Sequence, residues 1–258
     1  MKEPLVLYIN LLRSERRRAA MEARLRDAGF KNWQRIEACD GQELDLASFD
    51  AYSDKDTAAT IGRSLLASEV ACYQSHLASL DAFLSSDADH AIIFEDDALV
   101  PEKLAQLVEG IIQTLDGIDL EWDVVHFGAL NINQMSSRVA AFAGHEICIG
   151  HFFPIRMHAI LWTRPGAERF VQRYRKILMP VDKQLSEDMI RSGTGLVVWP
   201  SPVTQEGLES DIEASGGRRK TFKKRWNEPL LRWRRKKRNK EIAAERMLQF
   251  EKTRTGGA

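Results

Sequence analysis

The chain has 258 residues, 44% of them hydrophobic and 29% charged, which is enough apolar material for one globular domain with an appendage. No apolar run approaches the length of a membrane span, and the opening stretch has too short an apolar run and the wrong flanks for a signal peptide. The chain therefore reads as neither secreted nor membrane-spanning. The formal net charge of zero hides a division: residues 216–258 carry 16 Lys and Arg against 4 Asp and Glu, so the residues before them carry 21 against 33.

Taken in chain order, Leu5-Val6-Leu7-Tyr8-Ile9 reads as a buried strand. Ser14 caps a predicted helix whose apolar residues Met21, Leu25 and Ala28 recur at helical spacing before Gly29 stops it. Residues 33–38 form a second short strand ending at Asp40-Gly41, and residues 51–63 are polar with little periodicity, so a loop is expected there. A helix opens near Ser68 and runs through Leu77, Leu80 and Leu84 to a polar turn. The strand His90-Ala91-Ile92-Ile93-Phe94 follows and ends in Glu95-Asp96-Asp97. Pro101 fits the first turn of the next helix, with Leu104, Leu107, Val108, Ile111 and Leu115 on its core face. Residues 123–127, 157–162 and 195–199 are further strands, with helices beginning near Pro165 and Lys183; residues 131–145 read as loop. This alternation predicts an α/β fold with a mostly parallel sheet flanked by helices, and the basic stretch marks a boundary between residues 1–215 and a tail over 216–258. Cys39, Cys72 and Cys148 are odd in number, far apart and without metal-ligand spacing, which points to buried free thiols in a reducing, cytoplasmic compartment.

The three consecutive acids are the most informative feature. In an open α/β sheet, ligands sit beyond the carboxyl ends of the strands, where Glu95-Asp96-Asp97 fall. Adjacent carboxylates repel, so a fold that gathers them pairs them with cations or a metal. Glu95 and Asp97, two apart on an extended segment, are the candidate ligands of Mg²⁺ or Mn²⁺, and Asp96 faces the bound ligand or a cation. The bland alternative is a solvated acidic turn.

The string Glu69-Val70-Ala71-Cys72-Tyr73-Gln74-Ser75-His76, followed by Ile93-Phe94-Glu95-Asp96-Asp97, resembles glycosyltransferase family 25, the family of lipopolysaccharide-biosynthesis and collagen galactosyltransferases. The resemblance extends upstream to Tyr8-Ile9-Asn10-Leu11 with Arg13 and Arg16, and to Ala38-Cys39-Asp40-Gly41. Downstream it takes in Trp122-Asp123-Val124-Val125, His158-Ala159-Ile160, Pro180-Val181-Asp182-Lys183 and Pro202-Val203-Thr204-Gln205. The chain departs from the family pattern at Leu12, Ser68, Ala71 and the block at His158. The resemblance implies a GT-A-like nucleotide-binding sheet that moves galactose or glucose from a UDP-sugar, with inversion, to a glycan such as the lipopolysaccharide core. Asn10, Arg13, Arg16 and His76 are then candidates for holding the donor.

Inversion needs a general base on the acceptor hydroxyl. Asp188 is the first candidate, followed by Asp182 and then Glu206; the competing reading of the first two is helix capping and surface charge. The tail interleaves Phe222, Trp226, Leu230, Leu231 and Trp233 with its cations, which suits an anionic membrane face presenting a lipid-linked acceptor and equally suits a solubilising extension. The core holds no nucleic-acid motif. A non-catalytic member that binds a nucleotide sugar or a partner remains the alternative to the enzyme.

Overall fold

A computed structural model describes residues 2–132, 135–206 and 226–255. Its main sheet has eight strands in the order β2-β1-β3-β8-β5-β9-β7-β6, with β1 Leu5–Asn10, β2 Gln34–Glu37, β3 His90–Glu95, β5 Val124–His126, β6 Ser136–Phe142, β7 His145–Gly150, β8 Ala159–Thr163 and β9 Gly195–Trp199. A separate ribbon pairs β4 (Ala98–Leu99) with β10 (Thr204–Gln205). The strands β1, β2, β3, β5, β9 and β6 run one way, and only β8 and β7 are reversed, so the expected mainly parallel α/β architecture holds.

The apolar run of β3 is continuous because both faces of the sheet are covered. Side chains alternate along a strand, so Ala91 and Ile93 enter one core, with Leu7, Leu77, Leu80 and Phe170. Ile92 and Phe94 enter the other, with Tyr8, Met21, Leu25, Val108 and Ile111. Helix α3 (Ala67–Leu84), α5 (Arg164–Arg173) and α6 (Val181–Ser192) supply the first face, and α1 (Glu15–Asp27) and α4 (Leu104–Asp116) the second.

Two expected loops are structured. Residues 51–63 contain α2 (Asp54–Ile61), whose Ser53 cap accepts a bond from the Asp56 amide at 3.3 Å and whose end is set by Gly62 at φ 82°. Capping, rather than apolar periodicity, defines this helix. Residues 131–145 contain β6 and the turn to β7, made by Ala143 and Gly144, both at positive φ as a tight hairpin turn requires. Pro101 lies before α4 rather than in its first turn, since the helix begins after Lys103 at φ 62°.

The boundary expected at residue 215, Arg218, Phe222 and Lys223 lie outside the described residues. The last helix, α7 (Glu228–Thr255), packs on α6 and α2, with Asn239 and Ala243 buried. Glu187 of α6, 4% exposed, clasps it through Arg235 Nε at 3.0 Å and also pairs with Arg191 and Arg238. Removing one partner of such a cluster strands the others, so Glu187→Ala should destabilise the protein by about 2 kcal/mol and open α7 first. Limited proteolysis read by mass spectrometry should show earliest cleavage within α7.

Candidate active site at the strand carboxyl ends

Strands β1 and β3 are parallel with Ile9 opposite Glu95, so Asn10 and the three acids emerge at the same edge of the sheet. Each acid has its own partner. Glu95 Oε1 lies 3.1 Å from His76 Nε2, on α3, and His76 is buried. Asp96 Oδ2 accepts from Asn10 Nδ2 at 2.6 Å, and its Oδ1 lies 3.5 Å from Arg17 Nη1. Asp97 Oδ2 accepts from Gln205 Nε2 at 2.6 Å, and Gln205 Oε1 accepts in turn from Arg156 Nη1 at 2.9 Å. Asp97 Oδ1 is buried with no hydrogen-bond partner among the described residues.

These partners set the proton affinities. Burial pushes the Asp97 carboxyl up to about 6, helped by the charges of Glu95 and Asp96 and opposed by the Gln205 bond and Arg17. Burial also pushes Glu95 up, but the bond and charge of His76, with His158 and Arg156, outweigh it and leave Glu95 below the usual carboxylate range. One carboxylate is thus held ionised while its neighbour is buried with a bare oxygen. A cation at the acids would satisfy Asp97 Oδ1 and relieve the repulsion, and all-oxygen ligands suit Mg²⁺ or Mn²⁺, so the residues present fit a hard divalent cation.

Of the other candidates, Asp182 opens α6 close enough to Glu95 and Cys72 for their charges to act on one another, and burial raises its proton affinity against the Lys183 amide bond of 2.7 Å. Asp188 is not at this edge. Six residues along α6 carry it roughly 9 Å down the sheet, where it is buried, accepts from the Tyr174 hydroxyl at 2.5 Å and faces Arg173 at 3.6 Å. Its neighbour there is Asp123, at the opposite end of β5 from the acids. The Tyr174 and Arg173 contacts link Asp188 to the end of α5. Glu206 is held in an ion pair by Arg24. Arg13 pairs with Asp40, and Arg16 is exposed on α1; the arginine that reaches the acids is Arg17, one residue further.

Sequence reasoning passed over three residues here. Arg156 sits at φ 93°, a strained conformation for a residue with a side chain, and its carbonyl is held by His126 Nε2 at 3.1 Å. The His126 Nδ1 accepts from the Gly128 amide at 3.0 Å, and burial, followed by the His158 charge, lowers the His126 pKa to about 3, so the ring is neutral. Gly128 is obligatory because a Cβ there would stand 1.9 Å from His158 Nε2. Nothing in Ile155-Arg156-Met157 advertises this role. A half-open cavity of about 320 Å³ lies at the other end of β1, around Leu5, Phe30 and Trp33, away from the acids.

The sheet and its acidic edge define an α/β protein with three carboxylates gathered at its strand carboxyl ends. The chain belongs to glycosyltransferase family 25 (LPS biosynthesis protein), whose family model matches residues 3–185. Among curated relatives, the human "Inactive glycosyltransferase 25 family member 3" is 24% identical over 190 residues, 70% of this chain and 31% of that protein. The Bos taurus "Probable inactive glycosyltransferase 25 family member 3" is 24% identical over 126 residues, 48% of this chain and 21% of that one. The chain thus spans less than a third of the length of these relatives. Among solved structures, an active-site mutant of LgtC aligns over 93% of this chain and 95% of its own, at 12% identity and a TM-score of 0.40.

Proposed function

We propose that this chain is a metal-assisted, inverting hexosyltransferase that takes galactose or glucose from a UDP-sugar and delivers it to a glycan acceptor of the lipopolysaccharide-core kind. The observation that carries the reading is the bare, buried Asp97 Oδ1 beside an ionised Glu95 at the sheet's carboxyl edge. Glu95 and Asp97 would hold Mn²⁺ or Mg²⁺, and the cation supplies charge neutralisation at a leaving diphosphate. Asn10 and Arg17 hold Asp96 in place, and Arg156 adds a fixed positive charge on the same side, braced by Gln205. Asp182 takes the acceptor hydroxyl proton as the acceptor oxygen bonds to the anomeric carbon and the diphosphate departs; burial raises its proton affinity, as a base needs.

The test is UDP release from a panel of UDP-sugars with and without Mn²⁺. Turnover of one sugar that requires the metal supports the reading. The word "inactive" in the names of both relatives favours one second reading, a non-catalytic donor-binding member. Tight donor binding in Mn²⁺ without turnover, with acceptor glycans supplied, would select it.

The acceptor would be met at an anionic membrane face, with the protein cytoplasmic and peripheral. Helix α7 turns Leu231, Arg235, Asn239 and Arg246 towards the domain, while Leu230, Trp233 and Lys237 share the opposite face, in line with the preceding Trp226. Trp226 and Trp233 are 92% and 58% exposed and are flanked by Arg232, Arg234, Lys236 and Lys240. Exposed indoles among cations match an anionic lipid interface. Co-sedimentation with phosphatidylglycerol vesicles should exceed that with phosphatidylcholine, weaken with salt, and fall about tenfold in Trp233→Ala, whose loss of a buried indole is on the order of 1.4 kcal/mol.

A further inference from the structure

Cys72 and His76 are four residues apart on α3, a spacing that stacks their side chains on one face of the helix. That face meets the end of β3. Donor atoms of Cys72, His76 and Glu95 all lie within 4.8 Å of one another, a grouping found nowhere else among the described residues. His76 is 2% exposed, whereas Cys72 and Glu95 keep partial exposure, so the cluster is walled on one side and open to solvent on the other.

We propose that Cys72 Sγ, His76 Nε2 and a Glu95 carboxylate oxygen form a second cation site, selective for a thiophilic divalent ion of the Zn²⁺ type. The donor set decides the ion. A thiolate and an imidazole favour Zn²⁺, whereas Mg²⁺ and Mn²⁺ take oxygen ligands such as those at Asp97. Zinc bonds of about 2.0–2.3 Å in tetrahedral geometry put ligand atoms roughly 3.3–3.8 Å apart. Small side-chain rotations close the observed spacing to that range, and three protein ligands leave a fourth position for water.

Cys72 and His76 each give up the proton on the donor atom: the Cys72 thiol releases its proton to solvent and bonds the metal as thiolate, and the Nε2 proton that His76 shares with Glu95 in the metal-free site leaves for solvent so that Nε2 can ligate. Without the ion, burial and the charges of Glu95, Asp182, Glu69 and Asp97 keep the thiol protonated, so this cysteine is inert until a cation arrives. The same acids give the site a negative field that draws cations. Glu95 is common to both sites, so zinc withdraws one ligand from the hard cation, and micromolar Zn²⁺ inhibits turnover competitively with Mn²⁺. That inhibition rests on the transferase reading; the site itself does not.

Titrating the full chain with Co²⁺ tests the site without any activity. One equivalent should produce a thiolate-to-cobalt charge-transfer band and the intense visible bands of four-coordinate Co²⁺, displaced by one equivalent of Zn²⁺. Cys72→Ser should abolish the charge-transfer band, and His76→Ala should weaken Zn²⁺ by more than the roughly 10–100-fold that losing an outer-shell partner costs. Asp97→Asn should leave the band intact. X-ray absorption of the zinc-loaded wild type gives the same answer without a variant: one sulfur and mixed nitrogen and oxygen neighbours. No charge-transfer band in the wild type, or a band that survives Cys72→Ser, overturns the proposal. Failure of the transferase reading would appear separately, as absence of UDP release in Mn²⁺ with the cobalt spectrum unchanged.

Discussion

Asp97→Asn is expected to eliminate cation-dependent donor turnover and, at pH 7.5 in chelator, to raise the melting temperature of the protein. The two effects share one cause. Asp97 is a carboxylate kept partly buried beside two others, with one oxygen bonded by Gln205 and the other bare. Asparagine can still accept the Gln205 bond, but it adds no charge to repel Glu95 and Asp96 and none to hold a cation. Loss of a charge-stabilising group at a reacting centre lowers turnover by about 10²–10³-fold or more.

The stability effect has a definite sign and pH window. The Asp97 pKa is about 6 in the folded chain, above the roughly 3.9 of an unfolded one. Between about pH 4 and 6 the folded state therefore binds more protons, and stability falls as pH rises through that window. The penalty is fully present above about pH 6 and absent below about pH 4. Discounted for partial exposure it is about 1–2 kcal/mol, or roughly 2–8 °C in melting temperature. Melts of both proteins at pH 4 and pH 7.5 check this: the variant's advantage should be confined to the higher pH, and a variant less stable at both would refute the burial argument. The same proton competes with the metal, so cation affinity in the wild type should fall as pH drops through 6.

What was legible in the sequence was whatever local pattern encodes. The strand His90-Ala91-Ile92-Ile93-Phe94, the helix through Leu77 and Leu80, and the acids at the strand end could all be read because burial on both faces writes continuous apolar runs and ligand sites follow strand ends. Helix α2 was missed because Ser53 and Gly62, not an apolar stripe, delimit it. The β6–β7 hairpin was missed because its turn is Ala143-Gly144 rather than a stronger turn pair. Spacing alone could not separate Asp182 from Asp188, since both fall on one helix and only the tertiary contacts show Tyr174 and Arg173 holding Asp188 at the far end. Arg17 in place of Arg16 is a matter of helical phase, and the Arg156–Gln205–Asp97 chain joins residues 49 and 108 positions apart. Cys72 and His76 carried a visible four-residue spacing, but its meaning depended on Glu95 arriving from β3.

Arg164→Ala should be the most destabilising single change away from the acids. Arg164 opens α5 directly after β8 and turns its guanidinium onto the end of α3, where Nε and Nη2 meet the Ala88 carbonyl at 3.0 and 2.7 Å, Nη1 meets Leu84 at 3.0 Å, and Nη2 meets Ser86 at 2.6 Å and Phe83 at 3.3 Å. The ring of Phe83 lies beneath it, 5.1 Å away. The Phe83 and Leu84 carbonyls are acceptors that the last turn of α3 leaves, at the negative end of its dipole, and those of Ser86 and Ala88 belong to the turn that follows, so a planar cation with five donors ties the helix end and its exit turn together. Truncation to Ala leaves four carbonyls partly buried without this partner and should cost about 3 kcal/mol, or roughly 6–12 °C in melting temperature. Arg164→Lys supplies charge without the fork and should recover less than half of that. Because this contact lies at the end of α3 remote from Cys72 and His76, the folded variant should keep donor turnover per molecule and the cobalt spectrum of the wild type. A variant that lost both while still folded would show that the end of α3 tunes the acidic edge rather than merely securing the helix.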